Sequence, residues 1–220
     1  MGLLGNISPE IRRLFFEIYD ALTSKKEAAH PFDIKYGTET SGIVRREALA
    51  IPKERMIHAV RYQPAIVEVF FEILNSLPIP HEEFLFIDLG SGKGRALLLA
   101  SKFPFKRIIG VELSEDLHRT ACRNIRVYRD EMQRCFSIES ICKDVVDYKI
   151  PDENIAFYLF NPFDAHVMDP VLHKIEVSLK NYQRDIYIAY LKPVYRVLFD
   201  RSNFLHIEKD AGRYVIYKNN

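Results

Sequence analysis

The chain has 220 residues, of which 48% are hydrophobic, so it is long enough to bury a full core. Its 31 basic and 30 acidic side chains give a net charge of +1, so a nucleic-acid partner is not predicted. No uninterrupted apolar stretch approaches the ~18 residues that a membrane span needs, so we expect no membrane association through a transmembrane helix.

The cysteines indicate the redox setting. Cys122, Cys135 and Cys142 form no C-x-x-C pair, and an odd number of thiols suits reduced cysteines better than a disulfide framework or a zinc site. The N-terminal residues also lack the basic region and long apolar run of a signal peptide. We therefore expect a cytoplasmic protein.

The first predicted element is an N-terminal helix. Ser8-Pro9-Glu10 gives a cap followed by proline at the first helical position. The helical spacing of apolar residues that follows comprises Ile11, Leu14, Phe15, Ile18, Tyr19 and Leu22. From His30 to Ala50 the chain is polar and rich in turn residues. A loop of this length is often functional, and a surface linker is the alternative.

A second amphipathic helix follows Arg61-Tyr62-Gln63-Pro64 and ends before Pro78. Strands and helices then alternate, which predicts an α/β, Rossmann-like, mostly parallel sheet with helices on both faces. The predicted strands are 84–88, 107–112, 135–141, 155–160, 185–191, 204–209 and 213–218, and the helices between them are 95–102, 115–132, 167–179 and 194–200. Only Asp210-Ala211-Gly212 joins the last two strands, so they must form an antiparallel hairpin.

The stretch from Phe86 to Arg95 runs from a buried strand through three glycines into a helix. Glycines there permit positive φ and close approach of a ligand, and a helix start offers N–H groups to electronegative ligand atoms. The D-x-G-x-G-x-G spacing differs from the dinucleotide G-x-G-x-x-G. A P-loop fails because Ile87 and Gly94 occupy its required glycine and Ser/Thr positions. The stretch predicts a nucleotide-type site, and a tight turn without a ligand is the alternative.

Polar side chains end the next strands. Glu112 ends the second strand, where a carboxylate can bind both ribose hydroxyls of a nucleoside. Asp144 and Asp147 follow the third strand, and spacing alone does not separate them. The fourth strand ends in Asn161-Pro162-Phe163, which offers an amide oxygen, an extended backbone and an aromatic wall. An ordinary βα turn is the alternative for this last segment.

The D-x-G-x-G-x-G form resembles the first motif of class I S-adenosylmethionine (SAM) dependent methyltransferases, a family with seven strands and a terminal hairpin. The fuller set Tyr-Gly-Thr-x-Thr-Ser-Gly, Tyr-x-Pro, Asp-Leu-Gly-Ser-Gly-Lys-Gly-Arg and Asn-Pro-Phe is similar to a largely uncharacterised bacterial group of that family, over about residues 30–218. More distantly, it resembles the seven-strand lysine methyltransferases, including the nucleosome-directed, telomeric-silencing enzymes.

The resemblance implies a division into residues 1–60, an N-terminal helix and lid segment, and residues 61–220, the methyltransferase core. By analogy the lid contains Tyr36, Thr38, Thr40, Ser41 and Tyr62. It also implies that Asp144 accepts a hydrogen bond from the adenine amino group. The implied SAM-binding residues are Tyr36, Thr38, Tyr62, Asp88, Gly90, Ser91, Gly92, Glu112, Leu113, Asp144 and Asn161.

The implied catalytic turn is Asn161, Pro162 and Phe163. It is similar to the N-P-P-Y motif of enzymes that methylate nitrogen, although Phe163 replaces the second proline. We expect methyl transfer to a nitrogen nucleophile, for example a protein lysine, which must arrive neutral in a desolvated pocket walled by Tyr36, Tyr62 and Phe163. The alternatives are a small-molecule N- or O-methyltransferase and a non-catalytic SAM-binding module. An NAD-dependent oxidoreductase is a further alternative, and the absence of the G-x-G-x-x-G spacing counts against it.

Two charged patterns are interpreted as ordinary surface. Arg119, Arg123, Arg126 and Arg129 form one stripe of a helix, which predicts a solvated face, with polyanion binding as the alternative. The opposite, buried face is predicted to contain Leu117, Ala121, Ile125, Tyr128 and Met132. His166 and His173 lack the i, i+4 spacing of a helical zinc pair, so no metal site is predicted.

Overall fold

The computed structural model describes residues 30–220, together with Ser8, Ile11, Leu14 and Ile18. The last three are helical, and the Ile11 N–H lies 3.4 Å from the Ser8 Oγ that accepts its hydrogen bond, as a helix cap requires. The rest of the predicted N-terminal helix lies outside the described residues: Pro9, Glu10, Phe15, Tyr19 and Leu22.

The centre of the fold is a seven-stranded sheet with the order β3-β2-β1-β4-β5-β7-β6. Its strands are β1 (Leu85–Leu89), β2 (Arg107–Glu112), β3 (Ile138–Cys142), β4 (Ile155–Phe160), β5 (Ile186–Leu191), β6 (Leu205–Asp210) and β7 (Tyr214–Asn219). Strands β1 to β5 are parallel to one another, whereas β7 runs antiparallel to both β5 and β6. The predicted α/β, Rossmann-like sheet with an antiparallel C-terminal hairpin is confirmed. The strand order changes direction at β1 and β4, and an open α/β sheet binds ligands at such a point.

The helices are α1 (Pro31–Tyr36), α2 (Lys53–Met56), α3 (Val67–Asn75), α4 (Arg95–Ala100), α5 (Glu115–Val127), α6 (Ala165–Asn181) and α7 (Arg196–Asp200). The prediction that α5 continues to residue 132 was wrong. The backbone becomes extended at Tyr128, whose buried ring packs against Phe32 and Tyr36. Met132, predicted on the buried face, is therefore 66% exposed. Strand β3 likewise begins at Ile138 rather than at residue 135.

Apolar side chains cover both faces of the sheet. Because successive strand residues point to opposite faces, Phe86 packs with Phe70 of α3 and Leu97 of α4, while Ile87 packs with Met168 of α6 on the other face. Strands that are buried on both faces have nearly continuous apolar sequences, and these strands could therefore be predicted from the sequence. Among the described helices, none is both long and apolar enough to cross a bilayer.

The polar segment after α1 wraps around a buried carboxylate. Asp33 is 5% exposed and accepts hydrogen bonds from the N–H groups and hydroxyls of Thr40 and Ser41 and from the hydroxyl of Thr38. Arg95 of α4 donates to the Thr40 hydroxyl over 2.7 Å and to that of Ser41 over 2.9 Å. Burial raises the pKa of Asp33, but the hydroxyl donors, Ser41 first, outweigh it and leave the pKa lowered. These hydrogen bonds attach the segment of residues 31–41 to α4 of the core.

The chain between residues 44 and 63 then crosses the carboxyl ends of the strands. Val44 and Tyr62 form an antiparallel bridge with each other, and Ala59 forms one with Phe163 just beyond β4. These bridges hold the segment over the point where the strand order changes.

Candidate active site

A cavity of about 400 Å³ opens at the carboxyl ends of β1, β2 and β4. Its floor contains the glycine turn and the strand tips, and residues between 45 and 63 form a wall across it. A concave site at the point where the strand order reverses is where doubly wound folds bind ligands.

The glycine turn is packed against two side chains that close in from different segments. A Cβ built on Gly90 would lie 2.5 Å from Cβ of Pro162, and one built on Gly92 would lie 2.2 Å from Cε2 of Tyr62. Both glycines have positive φ, at +86° and +54°. Glycine is therefore required here by neighbouring side chains as well as by backbone conformation.

The N–H groups of the turn are already used inside the protein. Those of Gly90 and Ser91 donate to the carbonyl of Val111 over 2.9 and 3.1 Å. The N–H of Gly92 donates to Oε2 of Glu112 over 2.7 Å, and that of Gly94 donates to the Ser91 carbonyl over 2.9 Å. These four N–H groups are therefore not available to a ligand in this conformation. The strand-tip side chains provide the polar groups instead.

Glu112 is held rigidly at the tip of β2. Its two carboxylate oxygens accept hydrogen bonds from the N–H of Gly92 at 2.7 Å and of Ser114 at 2.8 Å, and the residue is only 8% exposed. Burial raises the pKa of Glu112, against the lowering effect of these backbone donors. Both Glu112 and Leu113, which the resemblance implied as SAM-binding residues, line the cavity.

Asp88 lies at the end of β1, beside a smaller hollow of about 20 Å³. Burial, followed by the nearby charge of Glu112, raises its pKa well above the ordinary value. The same hollow is lined by Ser91 and by Tyr158, and the hydroxyls of both are buried without a hydrogen-bond partner within the described protein. Buried polar atoms without partners are uncommon in native proteins, so these two indicate a site for a polar ligand group.

Asp144 lines the cavity, whereas Asp147 is exposed and lies outside the lining. The structure thus separates two acids that the sequence left equivalent. The carboxylate of Asp144 lies 2.9 Å from Nε of Arg55, which belongs to the wall segment. It also accepts a hydrogen bond from the Val146 N–H over 3.0 Å.

The turn after β4 carries Asn161, Pro162 and Phe163 into the cavity lining. Asn161 has φ +43°, and its amide oxygen accepts a hydrogen bond from the Tyr190 hydroxyl over 3.2 Å. Lys192, just beyond β5, has φ +49° and lines the same cavity. Strained backbone at two adjacent strand ends is characteristic of functional sites.

Four of the five predicted lid residues lie elsewhere, because Tyr62 lines the cavity and Tyr36, Thr38, Thr40 and Ser41 do not. Tyr36 donates its hydroxyl to Asp130 and accepts from Nζ of Lys102 over 3.3 Å, and Thr38 bonds to Asp33. Neither Tyr36 nor Thr38 lines the cavity. Their hydroxyls satisfy buried or half-buried carboxylates, and the wall is instead formed by residues 45–63. Cavity residues that sequence reasoning missed are Arg45, Arg55, His58, Arg61 and Lys192, for which no local pattern exists.

The predicted arginine stripe has three members on α5, and Arg129 lies beyond the end of that helix at Val127. Arg119 pairs with Glu115 and Asp116, and Arg123 pairs with Glu39. These pairs are exposed, which favours the interpretation of this stripe as a solvated face.

No protein-family model matches this sequence, and no curated protein matches it. The fold has solved neighbours at low identity. An RNA methyltransferase from Salinibacter ruber, in complex with S-adenosyl-L-homocysteine, is 19% identical over 70% of this chain and 91% of its own, with a TM-score of 0.46. A dimethyladenosine transferase from Plasmodium falciparum is 13% identical over 69% and 60%, with a TM-score of 0.48. A ribosomal protein L11 methylase from Lactobacillus delbrueckii subsp. bulgaricus is 14% identical over 70% and 76%, with a TM-score of 0.44.

Proposed function

We propose that this protein is a SAM-dependent methyltransferase. The observation that carries the proposal is the placement of three acids, Asp88, Glu112 and Asp144, at successive strand tips around one glycine turn. A nucleoside with an attached amino acid needs acceptors for ribose hydroxyls, for an adenine amino group and for an ammonium group, and these acids provide them.

The residues present fit the cofactor in detail. Glu112, fixed by two backbone donors, would hold the ribose hydroxyls, and Asp144 would hold the adenine amino group. The unpartnered hydroxyls of Ser91 and Tyr158, next to Asp88, suit the amino-acid portion. When bound, SAM supplies an electrophilic methyl group. The protein then has mainly to align an acceptor with it and keep water out.

The acceptor end of the cavity is formed by the turn after β4. Asn161 and Phe163 provide an amide and an aromatic wall, and Pro162 closes against Gly90. This composition supports a nitrogen nucleophile as the acceptor. The acceptor nitrogen must be neutral when it reacts, because the ammonium form of an amine such as lysine has no lone pair, and a desolvated pocket favours the neutral form.

Calorimetric titration with SAM and S-adenosylhomocysteine tests the cofactor assignment. We expect saturable 1:1 binding and an affinity loss of about tenfold or more in Glu112→Gln, since a carboxylate bonded to hydroxyls is worth roughly 1.5–3 kcal/mol. Glu115→Gln is the matched control, because Glu115 is an exposed acid at the start of α5 that does not line the cavity. Absence of binding by the wild type, or equal affinities in the two variants, would remove the basis of the proposal.

A tritiated-methyl assay on cell lysate, followed by separation of protein from metabolites, tests the acceptor. Label in a nitrogen-containing metabolite supports a small acceptor, and label in protein supports lysine. Asn161→Ala should lose the transfer while retaining S-adenosylhomocysteine binding. A non-catalytic binding module would instead show binding without transfer to either fraction.

A further inference from the structure

His58, Asp164 and His166 form a cluster at the rim of the cavity. Nδ1 of His58 lies 2.8 Å from Oδ2 of Asp164, and Nδ1 of His166 lies 3.7 Å from the same oxygen. One ligand-type atom from each residue falls within 4.8 Å of the others. The two imidazole rings are 5.0 Å apart.

The backbone holds this cluster in place. The N–H of Asp164 donates to the carbonyl of His58 over 3.2 Å, next to the bridge between Ala59 and Phe163. The other carboxylate oxygen of Asp164 accepts from the His166 N–H over 3.0 Å, which caps the start of α6. The wall segment and the start of α6 therefore hold these three side chains close together in the backbone conformation that the structure shows.

The chemistry of the cluster suits a metal ion. Within the part of the chain that the structure describes, Asp164 forms its ion pairs with the two histidines and with no Lys or Arg. Two imidazoles and one carboxylate are a ligand set for divalent transition metals. Zinc bonds to such ligands are about 2.0–2.2 Å long, so two ligands stand at most ~4.4 Å apart. The His166 side chain is 78% exposed and needs only a small rotation to meet that limit.

We propose that His58, Asp164 and His166 bind a divalent transition-metal ion such as Zn²⁺. Three protein ligands leave a coordination position open, as in catalytic rather than structural zinc sites. His58 and Phe163 both line the cavity, so the site lies next to its acceptor end. A role in positioning the acceptor through a group other than its reacting nitrogen rests on the proposed methyltransferase function, whereas metal binding itself does not.

The test is calorimetric titration of the full chain with Zn²⁺, and with Co²⁺ followed by visible absorption. All proteins carry Cys122→Ser and Cys142→Ser, because these two thiols are at least partly accessible and could bind metal themselves. We expect one ion per chain and a loss of affinity of about tenfold or more in His58→Gln and in His166→Gln. His173→Gln is the matched control, since His173 is an exposed histidine of the same helix that pairs with Glu176.

His166→Gln is the decisive variant because its side chain is exposed and its loss should leave the fold intact. No ion bound by the parent protein, or parent-like affinity in His166→Gln, overturns the proposal. S-adenosylhomocysteine binding, measured on the same samples, separates the two proposals. Zn²⁺ binding without S-adenosylhomocysteine binding would refute only the methyltransferase assignment, and the reverse result only the metal site.

Discussion

The ring of Tyr62 lies directly against the Cα of Gly92, where an added Cβ would come within 2.2 Å of Cε2. Tyr62 belongs to the segment that walls the cavity, and its hydroxyl donates to the Thr40 carbonyl over 2.6 Å. One side chain thus contacts the wall segment, the polar segment around Asp33 and the glycine turn. The shape of the cavity depends on this contact.

Gly92→Ala is therefore expected to destabilise the protein and to abolish S-adenosylhomocysteine binding. The added methyl group must displace the Tyr62 ring, and alanine at φ +54° adds backbone strain, for a combined cost of roughly 2–4 kcal/mol. Urea unfolding and calorimetry measure the two effects. Gly212→Ala is the control, because Gly212 has φ +75° but nothing within 4 Å of an added Cβ. It should cost only about 1 kcal/mol and keep full binding. Equal losses in both variants would contradict the role of Tyr62.

Asp88→Asn should stabilise the ligand-free protein at neutral pH while weakening SAM binding. Burial raises the folded-state pKa of Asp88, so its contribution to stability is full below the unfolded-state pKa and is lost as pH rises through the folded-state pKa. The asparagine side chain of the variant does not titrate, so this pH dependence is absent from the variant. Urea midpoints measured from pH 4 to 8 should therefore fall more steeply with pH in the wild type than in the variant. Parallel curves would show that Asp88 is not titrating in a buried environment.

Asp33→Asn should have the opposite pH signature. The hydroxyl donors lower the pKa of Asp33, so its stabilising effect is present above the unfolded-state pKa and is lost as pH falls through the folded-state pKa. The variant removes the carboxylate that lies 3.6 Å from the buried Arg95 guanidinium and accepts hydrogen bonds from Thr40 and Ser41, and we expect a loss of about 3–5 kcal/mol at pH 7. Glu39→Gln breaks an exposed ion pair with Arg123 and should cost under about 1 kcal/mol. Unfolding in guanidinium chloride at pH 7 and pH 3 compares the two variants. Similar losses of unfolding free energy in both would argue against a stabilising role for the buried carboxylate of Asp33.

Arg55→Ala should accelerate dissociation of S-adenosylhomocysteine. Arg55 joins the wall to Asp144 over 2.9 Å, so its removal releases the wall from the third strand tip. The ion pair is partly exposed, and its loss should change the free energy of unfolding by less than about 1 kcal/mol. Stopped-flow displacement gives the dissociation rate. Arg46→Ala, which removes another wall arginine paired with its neighbour Glu47, should leave that rate unchanged. A faster rate in both variants would point to general loosening of the wall.

Local patterns in the sequence were enough to predict the sheet, its hairpin and the strand tips. Alternating apolar strands and helices, and the short predicted connection at Asp210-Ala211-Gly212, are local signals that leave few topologies. In the structure the connection is residues 211–213. Asp88 and Glu112 were predicted because a polar residue that ends a buried parallel strand must emerge at one edge of the sheet. Here the local pattern and the tertiary position coincide.

Which residues cover the cavity depends on contacts between distant segments, and these are visible only in the folded structure. Tyr36 and Thr38 stand in a motif that is polar and rich in turn residues, yet their hydroxyls are taken up by Asp130 and Asp33. His58 meets Asp164 from 106 positions away, and no spacing within either segment indicates it. The end of α5 at Val127 depends in the same way on the packing of Tyr128 against Phe32 and Tyr36. Helix and strand periods are properties of neighbouring residues, whereas partners across the fold are fixed only when distant segments pack together.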